Sequence, residues 1–265
     1  YGISSVIIAP IANVLNSSVG VRTSFKILGA VFLVVICLGS LFISTCPAGF
    51  MPTGYQPPVQ AGGKAPVDKT TGEMLRMPIF YIMLVMLTCG GVFGMMVISS
   101  ASSLAVNIAG VNPATASLLV SVLCLFNTAG RLIAGSLSDK LGRINTLTIA
   151  IVIAMVGLVV LYTAEVNASL PLLVVGLILM GICFGTFMGV FPGFCTDQFG
   201  SRHNTVNYGI MWIGFCIAGI AGPTILTRVY ASAGMYRTAF LIAMGIAILG
   251  LLMTFIYRSV VKKMA

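Results

Sequence analysis

Apolar residues run in long blocks along the chain, each bounded by polar or charged positions. The blocks lie at 1–18, 25–45, 78–105, 114–138, 144–163, 170–195, 205–227 and 236–257. Each is near the length of about 20 residues that a helix, tilted or upright, needs to cross a hydrocarbon core of about 30 Å. The pattern predicts eight membrane-spanning helices, and therefore an all-α polytopic membrane protein.

Composition strengthens that reading and removes its competitors. Of the 265 residues, 58% are hydrophobic and only 7% charged, where a soluble domain carries about a quarter charged. A water-soluble globular domain is excluded. The net charge of +9 would point to nucleic acid in a soluble protein. Here the basic residues are thinly spread over an apolar chain, so their placement relative to the bilayer matters more than their sum. The seven cysteines fall mostly inside apolar blocks, with no C-x-x-C pair and no neighbouring histidine. They read as small packing residues rather than disulfides or metal ligands. No metal, cofactor or nucleic-acid partner is expected; the expected surroundings are a lipid bilayer.

One connection differs from the others. Residues 46–77 are rich in Pro and Gly and carry Lys64, Asp68, Lys69, Glu73 and Arg76, the composition of a linker between two bundles. Two predicted helices precede it and six follow. The expected organisation is therefore 1–45 as the last two helices of an N-terminal bundle, 46–77 as a central linker, and 78–265 as a six-helix bundle. Tyr1 is not an initiator methionine and opens directly inside an apolar block, with no charged region and cleavage site to mark a signal peptide. A fragment lacking upstream helices is expected. Counting Lys and Arg in alternate connections puts nine on one side (Lys64, Lys69, Arg76, Lys140, Arg143, Arg202, Arg258, Lys262, Lys263) and four on the other (Arg22, Lys26, Arg228, Arg237). By the positive-inside rule the linker, the Asp139 loop and the C-terminus are cytoplasmic, and the protein is expected in the cell membrane.

The chemistry concentrates at one residue. After Arg76 no Asp, Glu, Lys or Arg occurs until Arg131, inside the fourth block, with Asn127 one turn before it. Arg131 lies eight residues before Asp139, so at about 1.5 Å per residue its backbone sits about 12 Å from that end of the helix, near mid-membrane. An intramembrane arginine costs roughly 3 kcal/mol even on forgiving scales and is expected to face a bundle interior or a wet cavity. Asp139, Glu165 and Asp197, the acids after the linker, all fall at helix ends or in loops. The planar guanidinium fits a carboxylate through two parallel hydrogen bonds, which makes a small carboxylate the simplest ligand; a snorkelling, purely structural arginine is the alternative. Asn127, at i−4, shares the face and offers a neutral contact.

Small residues recur at four-residue spacing in Gly181, Gly185 and Gly189, and again in Gly214, Ala218 and Gly222. Such stripes let helices approach closely, either as static packing or as a surface on which helices rock during transport. The connection after the fourth block reads Gly135-Ser-Leu-Ser-Asp139-Lys140-Leu-Gly142-Arg143. Gly142 permits a tight turn, and Asp139 is placed to meet a neighbouring helix N-terminus or Arg143. This G-x-x-x-D-K-x-G-R pattern between two membrane helices resembles the cytoplasmic signature of the major facilitator superfamily. The resemblance implies that the eight spans are helices five to twelve of that fold, and that residues 46–77 are its long central loop.

Within the superfamily, the run from Asn127 through Arg131 to Gly135 resembles the eighth helix of the oxalate:formate antiporter family and the related monocarboxylate transporters. Asn207-Tyr208-Gly209, followed by Gly219, Gly222 and Pro223, is similar to the antiporters' eleventh helix. By that resemblance Arg131 binds the substrate carboxylate. Two departures refine the expectation. Proton-coupled monocarboxylate transporters commonly carry an Asp four residues before the arginine, where this chain has neutral Asn127; exchange or facilitated movement fits better. Oxalate carriers place a lysine in the eleventh helix, and 205–227 contains none, which favours formate, lactate or pyruvate over oxalate.

Tyr208 and Trp212, four residues apart, share a helix face and either wall a cavity or pack against lipid and neighbours. Phe187 and Met188 are weaker candidates, of the kind usually used in packing. The expectation is a secondary transporter working by alternating access, with Arg131, Asn127, Tyr208 and Trp212 at the substrate and Gly135, Asp139, Lys140, Gly142 and Arg143 at a gate. A non-transporting membrane sensor of a carboxylate is one alternative. A membrane enzyme is the other, opposed by the residue inventory: His203 is the single histidine, sits in a polar loop, and has no paired acid or nucleophile pattern around it.

Overall fold

The structure is a computed structural model that describes residues 4–44, 50 and 68–264. Among the described residues it contains ten α-helices and no strand: α1 (Ser4–Val19), α2 (Val21–Ser40), α3 (Thr71–Arg76), α4 (Pro78–Ile98), α5 (Ala101–Ala109), α6 (Pro113–Leu141), α7 (Arg143–Val166), α8 (Leu170–Phe199), α9 (Asn204–Ala233) and α10 (Arg237–Met264). Seven of them, α2, α4 and α6 to α10, are long and apolar enough to cross a membrane. The protein is an all-α, multi-pass membrane protein.

The apolar blocks located the helices but not their ends. α6, α8 and α9 reach 29, 30 and 30 residues, about 45 Å at 1.5 Å per residue, so their polar ends protrude from a core of about 30 Å. One expectation is corrected. The block at 78–105 is not one helix: α4 ends at Ile98, Ser100 leaves the helical region (φ −114°, ψ 9°), and α5 starts at Ala101. The Ser99 hydroxyl donates to the Met95 carbonyl at 2.6 Å, competing with the ladder as serines do, and the Ser100 carbonyl restarts it by accepting from Leu104 N–H. The first block yields an α1 of 16 described residues, Ser4–Val19, with residues 1–3 of the block outside the described residues.

The end of the expected linker is also structured. Most of 46–77 lies outside the described residues, but Thr70 caps α3 with a full capping box to Glu73, and Met74 is buried. The strand-like lead-in is tied down by Lys69 N–H to Phe199 O at 2.8 Å and by Asn207 Nδ2 to Lys69 O at 3.0 Å. The Thr71 hydroxyl donates to Asn207 Oδ1 at 2.9 Å. Asn207, fully buried, is thus committed to holding this segment across the ends of α8 and α9.

The chain divides into two units, and α3 to α10 belong to one of them. There α8 is central, packing extensively on α6 and α7 and also on α4, while α9 packs on α4 and α10 bridges α4 and α7. Phe187, Phe191, Phe194 and Phe199 of α8 are fully buried with Met83, Met86 and Phe93 of α4. Without water to expel inside a bilayer, such contacts hold by close van der Waals fit, here Phe93 edge-on to Phe187 at 6.0 Å and Phe187 stacked on Phe191 at 5.8 Å. α2, in the other unit, exposes most of its apolar side chains and buries Ser24.

Candidate functional site

α6 carries the arginine and is unbroken around it. Asn112 starts the helix by accepting from Thr115 N–H at 2.8 Å, and Pro113 follows at the first position, where its missing N–H costs nothing. The helix runs on past Arg131 to Leu141 without a break. Asn127 is buried, and its Oδ1 accepts a long hydrogen bond from Arg131 Nε at 3.5 Å.

The glycine stripe of α8 explains how this face is held. A Cβ at Gly181 would lie 2.7 Å from the Leu123 carbonyl oxygen, one at Gly189 would lie 2.6 Å from that of Arg131, and one at Gly185 would overlap the Asn127 carbonyl. In return, a Cβ at Gly130 would meet Ile182 O at 2.5 Å. α6 and α8 therefore touch backbone to backbone along Leu123, Asn127 and Arg131. The two features read separately in the sequence, the stripe and the arginine, are one seam. The second stripe does the same elsewhere: Gly222 faces Val92 O, and Gly214 faces Thr88, both on α4.

Tyr208 and Trp212 are brought together, ring centroids 5.9 Å apart and edge to face. From Trp212 the aromatic contacts continue to Phe215 at 4.7 Å and to Phe184 of α8 at 6.1 Å. Phe184 directly precedes Gly185 on the seam. α8 packs on both α6 and α9, so this aromatic run reaches the seam through Phe184. Phe187 is fully buried and Met188 nearly so, both as packing residues.

The loop motif forms a compact ionic cluster. Gly142 has φ 85°, a left-handed turn that a side chain would strain, and it ends α6 immediately before α7. Arg143, the first residue of α7, pairs with Asp139 at 2.7 Å and with Asp197, near the end of α8, at 3.0 Å. Its guanidinium also donates to the Ser138 hydroxyl and fills the space over Gly193. Of the two partners open to Asp139 in the sequence, the structure uses Arg143. Lys140 is exposed and Gly135 half-buried near Gly189. Sequence reasoning missed Asp197, Ser138 and Gly193; the unexplained acid near the end of α8 was the available signal.

Glu165, another helix-end acid, accepts from Tyr236 N–H at 2.6 Å, and the Tyr236 hydroxyl accepts from Asn107 Nδ2 at 2.7 Å. This network joins α5, α7 and the start of α10 at the end of the bundle away from Arg143. Among the described residues no group of His, Cys, Asp and Glu is arranged to hold a metal.

Comparison with known proteins accords with this geometry. The model of the Major Facilitator Superfamily matches residues 1–223 and 92–264. The chain is 31% identical over 220 residues to the MFS-type transporter YhjX of Escherichia coli (strain K12), a match covering 83% of this chain and 52% of that protein. It is 26% identical over 250 residues to the oxalate:formate antiporter of Oxalobacter formigenes, covering 91% and 56%. The chain thus spans about half the length of these curated relatives. By the match along nearly its whole length, and by a helical unit built on the membrane spans that the sequence required, the chain belongs to the Major Facilitator Superfamily.

Proposed function

We propose that the chain supplies the last two helices of one bundle and the whole six-helix second bundle of a secondary transporter, which exchanges small monocarboxylates by alternating access. The observation that carries the proposal is Arg131, a guanidinium inside a long apolar helix whose backbone is fixed against Gly185 and Gly189. An arginine there costs several kcal/mol unless it works, and its fork matches a carboxylate. The oxalate:formate antiporter name borne by one relative supports an organic anion as cargo.

Asn127 acts as a positioning residue. It is buried, so its Oδ1 orients the guanidinium rather than presenting itself to the ligand. Being neutral, it gives no proton site beside the arginine, which favours exchange over proton-coupled uptake. The absence of Lys and Arg from 205–227 favours one carboxylate over two. Tyr208 and Trp212 form an aromatic wall on α9, coupled to the α6 seam through Phe215 and Phe184. The Asp139–Arg143–Asp197 cluster latches the ends of α6, α7 and α8 on the side that the basic residues assign to the cytoplasm, and its release accompanies opening there.

The proposal is tested in liposomes with the complete transporter that carries this chain, by counterflow of labelled formate, lactate, pyruvate and oxalate. Exchange of one or more monocarboxylates, with oxalate slower, is expected. Movement of oxalate alone, or of none of the four, contradicts the assignment.

A further inference from the structure

At the end of the bundle away from Arg143, a cavity of about 220 Å³ lies between α5, α9 and the start of α10. The break after α4 helps to make it. With α5 restarting at Ala101, Ser100, Ser103 and Asn107 fall on one helix face, and they line the cavity together with Thr227, Tyr230 and Tyr236.

Most of the hydroxyl protons here are unspent, unlike those elsewhere in the helices. Ser99, Thr128, Thr146 and Thr186 each donate to a carbonyl one turn back, as hydroxyls in helices do. Ser100 does not cap α5, and neither it nor Ser103 nor Tyr230 makes a side-chain hydrogen bond among the described residues. The Tyr236 hydroxyl accepts from Asn107 Nδ2 at 2.7 Å and keeps its own proton to donate. Tyr230 and Tyr236 stack with ring centroids 4.3 Å apart, which holds both rings without using those protons. Thr227 turns its proton back into the helix, to Pro223 O at 2.9 Å.

Charge selects the occupant. Among the described residues of α3 to α10, the charges at this end are Arg228, Arg237 and Glu165, two positive against one negative. The arginines directly follow the lining residues Thr227 and Tyr236, and Glu165 Oε1 is engaged by Tyr236 N–H at 2.6 Å. Glu165 Oε2 and Arg237 Nε are both buried without a hydrogen-bond partner, groups that a dry, closed helix end would satisfy. Hydroxyl donors, no carboxylate in the lining and an excess of positive charge match a small carboxylate. The volume, below the roughly 300 Å³ at which pockets for drug-sized ligands begin, suits a small one.

We propose that this cavity is a second station for the transported carboxylate, where hydroxyl donors hold the anion at the end of the bundle opposite the Arg143 cluster. No lining residue comes from α6, so it is a site separate from Arg131. The proposal rests on reading a small monocarboxylate as the cargo, not on Arg131 as its site.

The test uses the complete transporter in liposomes. Ser103→Cys is labelled with a membrane-impermeant maleimide, counted above the label on the parent's own cysteines, with formate, lactate and pyruvate added in turn. At least one anion should slow this labelling severalfold and saturably. Ser232→Cys, exposed at the same end but outside the cavity, should label at an unchanged rate. The slowing should persist when Ser103→Cys is combined with Arg131→Gln. Ser100→Ala, and Tyr236→Phe, which keeps the ring for stacking on Tyr230, should each weaken the protecting anion roughly two- to tenfold, the worth of one neutral hydrogen bond. No slowing at Ser103→Cys, equal slowing at Ser232→Cys, slowing that disappears with Arg131→Gln, or unchanged affinity in both hydroxyl variants overturns the second station. If the station fails while the parent still exchanges a monocarboxylate, the transport reading stands. If an anion protects Ser103→Cys but none is exchanged, the transport reading falls and the cavity remains a carboxylate site.

Discussion

Arg131 and Asn127 are separated by one helical turn and differ in what they can do. The arginine carries a permanent charge; the asparagine carries none and cannot gain one. Replacing Asn127 by Asp puts an anion where Oδ1 now lies 3.5 Å from Nε, so the guanidinium is neutralised from within. Asn127→Asp should therefore exchange a monocarboxylate poorly at neutral pH and recover as pH falls and the new carboxyl is protonated, while the parent lacks that acid limb. Uptake measured against pH in the two proteins checks this. A second titration belongs to Glu73, whose carboxyl is held below its ordinary range by the Thr70 backbone N–H and then by the Thr70 hydroxyl. A depressed carboxylate stabilises the folded form above its unfolded pKa and loses that contribution as pH falls through its folded value. Amide exchange in 70–76 should stay slow from neutral pH downward, accelerate only below the usual carboxylate range, and lose the step in Glu73→Gln. At this scale the sequence was legible where a residue was out of place in its surroundings, as a charge in an apolar block is. It was silent where significance came from a distant partner: Asn207 carried a resemblance to a transport helix, but its amide is consumed by Lys69 and Thr71, 136 positions or more away along the chain.

Between elements, small residues decide which helices meet. The α6–α8 seam leaves no room for a Cβ at Gly185, so Gly185→Ala should cost about 1–3 kcal/mol as an overpacked site and push α8 away from Arg131. Gly209, on α9 with nothing within 4 Å of a modest side chain, should accept alanine with little change. Thermal unfolding of the two variants in one detergent separates a seam from an incidental glycine. The Arg143 cluster is different in kind. Asp139 is 64% and Asp197 52% exposed, so each pair contributes only about 0.2–1 kcal/mol to stability. Arg143→Gln should therefore remain folded and lose transport rate; a double-mutant cycle with Asp197→Asn should show coupling in rate beyond that in melting temperature. Helix positions were legible because apolar block length and membrane thickness match. The break at Ser99–Ser100 was not, because the residues beyond it remain apolar enough to extend the block, and the effect of serine hydroxyls on the backbone leaves no mark on hydropathy.

Across the whole molecule, family membership follows from the hydropathy pattern and the loop motif together, and the structure adds how α3 to α10 lock. One bundle carries a charged face on α6, an aromatic wall on α9, and α8 packed on both, with glycine on one side and phenylalanine on the other. The central claim is that the bundle is built around Arg131 as an anion site. Its most direct test is counterflow of labelled monocarboxylate by the complete transporter in liposomes, comparing the parent with Arg131→Gln and confirming equal folded protein by melting temperature. The account predicts exchange by the parent and a loss of at least about a hundredfold in the variant, consistent with removal of a charge-assisted bidentate contact of roughly 3 kcal/mol. Transport by Arg131→Gln at the parent's rate would contradict it and make the arginine structural.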